Sequence, residues 1–353
     1  MPQPDHKAAL QQLAHILIIR LSSLGDILLT TPVLRLLREA CPAAQIDFLT
    51  RAAYQELLQT NPCVDRVLLV EPQHGLTQTL HMVRQTRYDV VMDLHRTWRS
   101  HLLYRGSLAR RKLAYRKRTW RRALLVHLGW NTLRAMTPVP ELYAAPLRRL
   151  GITAALPPLE IHLPAASCLA MQHYIQTGLP DHYTQPLLAV APGARWTTKQ
   201  WPVERFAAAA QAIAQAHHAA VVVLGGREDQ ERSLALCQRL RVPVLNSTGT
   251  LSLLQTAALL AQCRLLLSND SGLMHMATAL RVPVVAIFGP TVQEFGFYPF
   301  QAQAQVISTA LSCRPCSTKG SQRCPRGHHQ CMQQVTVAQV CTATHAMWGD
   351  ERV

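Results

Sequence analysis

Short runs of Ile, Leu and Val alternate with segments of helical period through most of this 353-residue chain, and this alternation is the strongest restriction on its fold. The apolar runs span residues 15–20, 45–50, 65–71, 88–94, 187–192, 220–226, 264–269 and 283–289. The helical patterns between them span residues 32–39, 52–58, 76–86, 203–217, 229–240, 251–261 and 272–280. Strands that are apolar on both faces and separated by helices are typical of parallel sheets covered on both sides. The sequence therefore predicts an α/β fold.

The two series of strands are separated by a proline-rich stretch at residues 156–164. A chain of this length is long for one domain and suits two, because domains commonly contain about 100–200 residues. We predict two Rossmann-like domains with parallel sheets, an N-terminal domain at residues 1–160 and a C-terminal domain at residues 161–353. Open α/β sheets bind ligands beyond the carboxyl ends of their strands, so we expect the substrates in a central cleft between the domains.

Basic residues exceed acidic ones by a wide margin: 36 Lys and Arg face 20 Asp and Glu, which gives a formal net charge of +16. Eleven of the basic residues lie between Arg96 and Arg122, where no Asp or Glu occurs. Such an excess favours an anionic partner. The candidates are a nucleic acid, an acidic membrane surface and a phosphorylated substrate. The alternative is a solvated helix face without a specific partner.

The sequence predicts neither a membrane span nor a secretion signal. No stretch approaches the roughly 18–20 consecutive apolar residues that a transmembrane helix needs. Residues 1–12 lack the basic start and apolar core of a signal peptide. We therefore expect a cytoplasmic protein, and in that compartment its ten cysteines favour thiols or metal ligands over a disulfide framework.

The first candidate for chemistry is the segment at residues 20–32, which directly follows the first predicted strand. Ser22, Ser23 and Gly25 suit a tight turn, and Asp26 opens a helical segment at the end of the strand, where α/β enzymes place catalytic groups. The alternative is that Asp26 is only a helix N-cap, for which Asp is among the best residues. The segment lacks the G-x-G-x-x-G spacing of a dinucleotide fingerprint.

The second candidate is the loop at residues 192–202, between the first strand and the first helix of the second half. Gly193 allows a close approach of the backbone, and Lys199 adds a cation, so the loop suits a diphosphate. It lacks the G-K-[ST] ending of a nucleoside-triphosphate loop, which argues against an ATPase. The alternative is that Lys199 is merely exposed to solvent.

The third candidate is the segment at residues 268–275, which joins a strand to an apolar helix. We expect Asp270 to cap this helix and the backbone amides of Ser271 and Gly272 to bind phosphate, because a helix N-terminus attracts anions. His275 lies one turn into the helix, and the alternative is that it is a packed core residue. Glu228, in a turn between a strand and a helix, either holds a nucleoside hydroxyl or favours the helix start.

A cysteine-rich tail is the fourth candidate. Its cysteines are Cys313, Cys316, Cys324 and Cys331, with His328 and His329 close by in sequence. Four thiolates bind zinc tetrahedrally, so a structural zinc site is one interpretation. The leading alternative is a set of reduced thiols in a surface loop, because the wider spacing of the last two cysteines departs from the usual pair of knuckles.

Taken together, these segments resemble glycosyltransferase family 9, the ADP-heptose:lipopolysaccharide heptosyltransferases. The matching segments are, in chain order, RLSSLGDILLTTPVLRLL, PGARWTTKQWPVERF, GGREDQE and SNDSGLMHMATALRVPVVAIFGPT. The tail, LSCRPCSTKGSQRCPRGHHQCM, is similar to the cysteine-bearing end of the heptosyltransferase II-like branch. The resemblance covers nearly the whole chain, and the motifs occur in the family's order.

This resemblance implies a GT-B architecture and an inverting, metal-independent transfer of heptose from ADP-heptose to the inner core of lipopolysaccharide, with no required cofactor. Asp26 matches the family's proposed general base, which accepts the proton of the attacking hydroxyl. Lys199 matches the diphosphate-binding lysine, which offsets charge on the departing ADP. The donor-binding residues implied in this sequence are Gly193, Glu228, Asp270, Ser271, Gly272 and His275.

The acceptor implied by the resemblance is anionic, since it carries phosphates and Kdo carboxylates and is anchored in the cytoplasmic leaflet. The basic stretch of the first half suits such a partner, and it predicts a peripheral position on the inner face of the inner membrane. The candidate acceptor-binding residues are Ser22, Ser23, Arg96, Arg99, Arg116 and Arg118. The first domain is thus expected to bind the acceptor, and the second the nucleotide sugar.

Two other functions remain open from the sequence. The first is a GT-B glycosyltransferase with a different nucleotide sugar, such as a UDP- or GDP-linked donor. The second is a basic, non-catalytic nucleic-acid-binding protein. The recognised nucleic-acid modules are absent from the sequence and aromatic residues make up only 6% of it, so we expect no nucleic-acid partner.

Overall fold

The computed structural model describes residues 10–71, 73, 75–133, 136–180 and 183–349. The chain forms two compact units. The first unit comprises Met1–Arg118 and Thr137–His162, and the second comprises Thr119–Met136 and Leu163–Val353. The chain therefore passes from the first unit to the second after Arg118, returns to the first at Thr137 and enters the second again at Leu163.

Within the described residues, the first unit contains a parallel sheet of five strands. These strands are β1 (His15–Ile19), β2 (Gln45–Arg51), β3 (Arg66–Val70), β4 (Val90–Asp93) and β5 (Arg111–Ala114). Their order in the sheet is β3-β2-β1-β4-β5, so that Ile16 of the central strand pairs with Ile46 on one side and Val90 on the other. The first four strands confirm the predicted apolar runs. The edge strand β5 escaped prediction because its sequence, RKLA, has no apolar run.

The described part of the second unit contains a parallel sheet of six strands. These are β6 (Leu187–Ala191), β7 (Ala220–Val223), β8 (Val244–Asn246), β9 (Leu265–Asn269), β10 (Val284–Ile287) and β11 (Ala304–Ile307). Their order is β11-β10-β9-β6-β7-β8. The four central strands were predicted, and they are buried along their whole length. The two edge strands were not predicted, because they are short and partly exposed.

Helices connect the strands and cover the sheets. Over the described ranges they are α1 (Leu24–Leu28), α2 (Thr31–Ala40), α3 (Gln55–Gln59), α4 (Leu76–Arg84), α5 (Trp98–Gly106), α6 (Thr119–Leu128), α7 (Val139–Ala144), α8 (Ala165–Gly178), α9 (Val203–Ala216), α10 (Gln230–Cys237), α11 (Leu253–Ala261), α12 (Gly272–Ala279), α13 (Gln330–Gln333) and α14 (Val337–Trp348). Short 3-10 helices span Ala52–Tyr54, Ala145–Leu150, Thr197–Lys199, Arg227–Asp229 and Gln293–Phe295. In the part of the chain described here, no helix combines the length and the apolar character needed to cross a membrane.

Each unit has its own apolar core between sheet and helices. In the first unit, Leu17, Ile19 and Val91 of the central strands pack with Val83 and Leu103 of the covering helices. In the second unit, the central strands pack with α9 and α14, and fully buried Trp201 lies at the start of α9 in the same cluster. Burial at roughly 25 cal/mol per Å² of apolar surface favours both units. The cores therefore fix the strand ends that carry the candidate sites.

Candidate functional site

In the first unit, polar residues follow the carboxyl ends of β1 and β4, which are neighbours in the sheet. The turn after β1 carries Arg20, Ser22 and Ser23 and leads into α1, which contains Asp26. The turn after β4 begins at Asp93 and carries His95. Because the strands are parallel, both turns lie at the same edge of the sheet. The predicted carboxylate is therefore at the edge where open α/β sheets bind ligands.

Asp26 accepts several hydrogen bonds and an ion pair. Its Oδ2 lies 2.7 Å from Nη2 of Arg20 and accepts a hydrogen bond of 2.9 Å from the Ser23 hydroxyl. Its Oδ1 accepts a 3.0 Å hydrogen bond from the Tyr143 hydroxyl. Burial opposes ionisation, but the charge of Arg20 and the hydrogen bonds from Ser23 and Tyr143 outweigh it and lower the pKa of Asp26. The side chain is thus a carboxylate at neutral pH, with Oδ1 the less crowded oxygen.

One interpretation of Asp26 is corrected by the structure. The N-cap of α1 is Ser23, whose backbone N–H and side chain both donate to the carboxylate of Asp26 three residues later. Asp26 thus lies in the first turn of the helix, where a negative charge is favourable, and is not itself the capping residue. Its helical role does not occupy Oδ1, which leaves that oxygen for other chemistry.

Arg20 and Tyr143 orient Asp26, and sequence reasoning singled out neither. Arg20 is only 6% exposed, and it donates to the carbonyl oxygens of Ser22 and Leu94 and, at 2.7 Å, to the Tyr143 hydroxyl. Burial, and then the charge of Asp26, raise the pKa of Tyr143, so its hydroxyl keeps its proton. Tyr143 comes from α7, 117 residues beyond Asp26 in sequence, and no local pattern could have predicted the contact.

His95 is a further residue of this site that the sequence did not reveal. Burial lowers the pKa of its imidazole to about 4, and the positive charge of Arg20 acts in the same direction. Its ring is therefore neutral at pH 7. Its Nδ1 is buried and has no hydrogen-bond partner among the described residues. The buried carboxylate of Asp93 accepts the backbone N–H groups of His95 and Arg96, which fixes the turn that carries the ring.

The candidate acceptor residues occupy two kinds of position. Ser22 and Ser23 belong to the turn that holds Asp26, as described above. Arg99 and Arg116 are exposed, whereas Arg96 and Arg118 are partly buried. The Arg99 guanidinium lies 5.2 Å from the ring centroid of Trp98, and Arg96 adopts a left-handed backbone conformation with a φ of 55°. These arginines give the first unit a basic surface after β4 and β5.

In the second unit, the candidate donor residues follow the ends of three adjacent strands, and Thr291, which the sequence analysis did not single out, follows a fourth. Gly193 and Lys199 follow β6, Glu228 follows β7, Asp270 follows β9, and Thr291 follows β10. These strands are neighbours in the order β10-β9-β6-β7. Their carboxyl ends therefore bring to one edge of one sheet residues that are up to about 100 positions apart in sequence.

Lys199 and Asp270 form an ion pair at this edge. Nζ of Lys199 lies 2.5 Å from Oδ2 of Asp270, and the two side chains are 13% and 8% exposed. The Thr291 hydroxyl donates to the same carboxylate oxygen at 2.7 Å. The alternative that Lys199 is simply a solvated surface residue is therefore wrong. A fixed cation at the strand ends is well placed to interact with an anionic ligand.

The prediction that Asp270 caps α12 is also wrong. The N-cap of α12 is Ser271, which has an extended backbone and makes no side-chain capping bond, and the Asp270 carboxylate is bound to Lys199 and Thr291 instead. The Ser271 hydroxyl lies 3.2 Å from that of Ser268. Gly272 begins the helix, and His275 is 4% exposed within it. The first N–H groups of α12 have no intrahelical acceptor, so they remain suited to an anion.

Asn269 fixes the loop that carries Lys199, and the sequence analysis did not identify it as a site residue. Its side-chain amide donates to the carbonyl oxygen of Pro192 at 2.8 Å, and its Oδ1 accepts the backbone N–H of Trp201 at 3.0 Å. Both ends of the loop are thereby tied to β9. Gly193 allows this packing because a Cβ at that position would collide with the carboxylate of Asp229. The structure gives this glycine a steric role.

The turn after β7 brings Glu228 to the same edge, but it leaves that side chain exposed. The acid that holds this turn is Asp229, whose Oδ2 accepts the backbone N–H of Gly226 at 3.0 Å. Burial raises the pKa of Asp229, although the Gly226 N–H acts in the opposite direction. Glu228 is therefore not needed to build the turn, which leaves its carboxylate available to a ligand.

The cysteine-rich tail contacts the turn that carries Lys199. The Thr198 hydroxyl donates to the carbonyl oxygen of Ser321 at 2.8 Å and accepts the Ser321 N–H at 2.9 Å. His329 places Nε2 2.9 Å from the carbonyl oxygen of Thr198. Gly320, with a φ of +101°, packs on Trp196, where a Cβ would not fit. The tail thus supports the Lys199 turn from outside the sheet.

All four cysteines of the tail are free thiols in the structure. Burial raises the pKa of Cys316, with further contributions from Cys324 and Cys313. Burial also raises the pKa of Cys331 to about 11. Among the residues that the structure describes, no group of three or more His, Cys, Asp or Glu side chains is arranged to hold a metal ion. The contacts of the tail with the Lys199 turn run through its backbone and through His329.

Comparison with known proteins identifies the class. Residues 76–325 match glycosyltransferase family 9 (heptosyltransferase). The chain is 26% identical over 358 residues to lipopolysaccharide heptosyltransferase 2 of Salmonella typhimurium, with 96% of this chain and 99% of that protein covered. It is also 26% identical over 352 residues to the Escherichia coli protein of the same name, with 94% and 98% covered.

Solved structures give the same result for the fold. A glycosyltransferase family 9 protein from Veillonella parvula superposes with a TM-score of 0.78 at 24% identity, covering 96% of this chain and 98% of that one. The ADP-heptose lipopolysaccharide heptosyltransferase II of E. coli superposes with a TM-score of 0.74 at 23% identity, covering 95% and 98%. The chain belongs to glycosyltransferase family 9 and is a heptosyltransferase II-like glycosyltransferase of GT-B fold.

Proposed function

We propose that this enzyme transfers heptose from ADP-heptose to the inner core of lipopolysaccharide, with inversion at the anomeric carbon and without a metal ion. The observation that carries the proposal is the near-complete alignment with heptosyltransferase 2 proteins. Asp26 and Lys199, which match the family's catalytic positions, both lie at the carboxyl ends of strands, and this supports the proposal.

Asp26 acts as the general base in this proposal. Oδ1 accepts the proton of the acceptor hydroxyl while that oxygen attacks the anomeric carbon and the bond to ADP breaks. Arg20 and Ser23 hold Oδ2, so the carboxylate keeps one orientation as the reaction proceeds. A base with a lowered pKa is weak in the ground state, so proton transfer is expected late, when the attacking oxygen has become acidic.

Lys199 supplies the charge that the departing ADP requires. Its ammonium group is paired with Asp270 through one contact, and an ammonium group has three N–H donors, so others can serve a diphosphate oxygen. The first N–H groups of α12, at Gly272, add hydrogen bonds and the positive end of a helix dipole. Because negative charge grows on the diphosphate as the bond breaks, these interactions strengthen in the transition state and raise the rate without a metal ion.

The remaining residues bind the two substrates. Gly193, Glu228, Ser271 and His275 complete the donor site, with Glu228 expected to accept a hydrogen bond from a ribose hydroxyl. The acceptor is held by Ser22 and Ser23 and by the basic residues Arg96, Arg99, Arg116 and Arg118, which match its phosphates and carboxylates. Such an acceptor places the enzyme at the cytoplasmic face of the inner membrane.

The test is a transfer assay with purified protein, ADP-heptose and truncated core acceptors, in which the products are weighed by mass spectrometry. We expect one heptose to be added, with inverted anomeric configuration by NMR and with the rate unchanged by a chelator. Thermal stabilisation by ADP-heptose, set against UDP- and GDP-sugars, identifies the donor, since a ligand at a hundred times its Kd adds about 2.7 kcal/mol. Stabilisation by a UDP- or GDP-sugar alone would reject ADP-heptose as the donor.

A further inference from the structure

Three large apolar side chains are exposed within one short segment of the second unit. Trp120, Leu128 and Trp130 are 61%, 56% and 64% exposed. They lie on and just after α6, in the segment that leaves the first unit and packs on the second. Single exposed apolar residues are normal, but a cluster of this kind marks an interaction site. We call these three residues the tryptophan surface.

The geometry of α6 turns Trp120 away from the side of the helix that packs on its own unit. Trp120 and Leu128 are eight positions apart, so they lie about two turns from each other along the helix and point roughly 80° apart around its axis. Leu125 points roughly 140° away from Trp120 around the helix axis, and it packs with Leu133 and Phe295 in a small apolar cluster. One face of α6 is therefore used to bind the helix to its own unit. The tryptophan surface is not needed for that packing.

The charged residues in the sequence on either side of the tryptophan surface are basic. The Arg121 guanidinium lies 5.2 Å from the ring centroid of Trp120, and Arg122 holds the helix by donating to the carbonyl oxygen of Phe295 at 2.9 Å. No Asp or Glu occurs in the sequence from residue 94 to residue 140. An acidic side chain does come near through the fold: Glu294 accepts a 3.4 Å hydrogen bond from Asn131.

We propose that the tryptophan surface inserts into the headgroup region of an anionic phospholipid bilayer, with Arg121 at the lipid phosphates. Amphipathic helices with Trp and Leu on one side and basic residues beside them bind such interfaces. This inference rests on the proposed function in one respect, because a membrane-anchored acceptor brings the enzyme close to a bilayer. It adds the structural element that makes the contact.

A bilayer fits this surface better than a protein does. The three exposed side chains present on the order of 400 Å², about half of what each partner contributes to a stable protein interface. A bilayer interface does not require a complementary shape, and each basic residue near an anionic surface adds to binding. The indole rings also carry a polar N–H that suits the boundary between headgroups and acyl chains.

The experiment is co-sedimentation of the full chain with lipid vesicles that contain no lipopolysaccharide. Vesicles of phosphatidylcholine with a quarter phosphatidylglycerol are compared with pure phosphatidylcholine vesicles, and tryptophan fluorescence is recorded in parallel. We expect binding to the anionic vesicles with a blue shift, and little binding to the neutral ones. Trp120→Ser/Trp130→Ser is expected to weaken binding about tenfold. The matched control, Leu169→Ser/Leu234→Ser, removes two exposed apolar residues of the same unit elsewhere and should bind as the unmodified chain does.

Transfer to a water-soluble acceptor separates this inference from the proposed function. The Trp120→Ser/Trp130→Ser protein should retain that activity, because neither residue belongs to the catalytic or substrate-binding set. Vesicle binding by a chain without transfer activity would reject the function and support the bilayer contact. Equal binding to neutral vesicles, or unchanged binding of the double variant, would overturn the bilayer contact. Self-association lost in the double variant would overturn it too, because the occupant would then be a second copy of the chain.

Discussion

Lys199 and Asp270 face each other across 2.5 Å at the carboxyl edge of the second sheet, and both side chains are nearly buried. They come from loops that follow β6 and β9, 71 positions apart in sequence. A buried ion pair contributes little net stability, but the loss of one partner leaves the other charge without compensation. The donor lysine is thus also a structural residue, and the two roles can be separated by mutation.

Lys199→Met is expected to lower the free energy of unfolding by about 2–4 kcal/mol, since Asp270 would lose its cation and keep the Thr291 hydrogen bond. Lys199→Met/Asp270→Asn should recover most of that loss, because no uncompensated charge remains. Both variants should reduce transfer by about a hundredfold or more, because the departing diphosphate loses its cation. Urea unfolding and the transfer rate are the two measurements. Lys319→Met, at an exposed lysine of the same unit, is the control, and an equal loss of stability there would contradict the pairing.

The second sheet shows how far the sequence could predict this structure. The four central strands were identified from their apolar runs, since burial on both faces leaves a continuous signal in the sequence. The edge strands β8 and β11 were missed, because a partly exposed strand needs only a few apolar residues. The loops of Lys199 and Asp270 were each recognised as anion-binding candidates. Their ion pair depends on the order of strands in the sheet, which no local pattern carries.

The site around Asp26 in the first unit shows more clearly what the sequence alone could not predict. Asp26 could be identified because a turn and a carboxylate follow a strand within a few residues. Tyr143 and His95 could not, since one lies on a helix far along the chain and the other follows a different strand. The hydrogen bond of Tyr143 to Asp26 and the electrostatic effect of Arg20 on His95 are properties of the tertiary fold. A lone Tyr or His in the sequence carries no sign of such a neighbour.

Asp26→Asn tests the assignment of the general base. We expect transfer to fall about 10²- to 10⁴-fold while ADP-heptose affinity stays within about twofold, because a base acts in the chemical step. The measurements are single-turnover rates and donor binding by calorimetry. Asp65→Asn, which removes a more exposed carboxylate paired with Arg38 in the same unit, should keep full activity. Full activity of the Asp26 variant would reduce this residue to a support of the first turn of α1.

The pH dependence of transfer follows from the lowered pKa of Asp26. Burial opposes ionisation, but Arg20, Ser23 and Tyr143 together favour the carboxylate, so the base stays deprotonated below the ordinary Asp range near 3.9. The acid limb of the kcat profile should therefore lie below that range. The stability that Asp26 contributes is complete above its unfolded pKa and is lost as pH falls through the lower folded value.

Tyr143→Phe removes one hydrogen bond to Asp26 and is expected to move this acid limb to higher pH, because the carboxylate loses a donor. The measurement is kcat across the acid range at saturating substrates. Tyr88→Phe is a matched control, since Tyr88 is another buried tyrosine of the same unit that donates to a carboxylate, at 2.6 Å from Asp47. Tyr88→Phe should lower the free energy of unfolding without moving the acid limb of the kcat profile. Identical profiles for the Tyr143 variant and the unmodified chain would show that Tyr143 does not tune the base.

Thr198→Val tests whether the cysteine-rich tail positions Lys199. Valine keeps the shape of threonine, but it removes the hydroxyl that donates to and accepts from Ser321. The Ser321 N–H then loses its partner, at a cost of about 1–2 kcal/mol. Since Lys199 is the next residue in the same 3-10 turn, we expect KM for ADP-heptose to rise several-fold with a smaller change in kcat.

The control for this variant is its neighbour. Thr197 is exposed, and its hydroxyl contacts the side chain of Gln322, not the backbone of the tail. Thr197→Val should therefore leave KM and stability nearly unchanged. A rise in KM in both variants would point to a general effect of the turn, and no rise in either would mean that Lys199 is placed by Asp270 alone. An increase confined to Thr198→Val would show that the backbone of the tail positions Lys199 in the donor site.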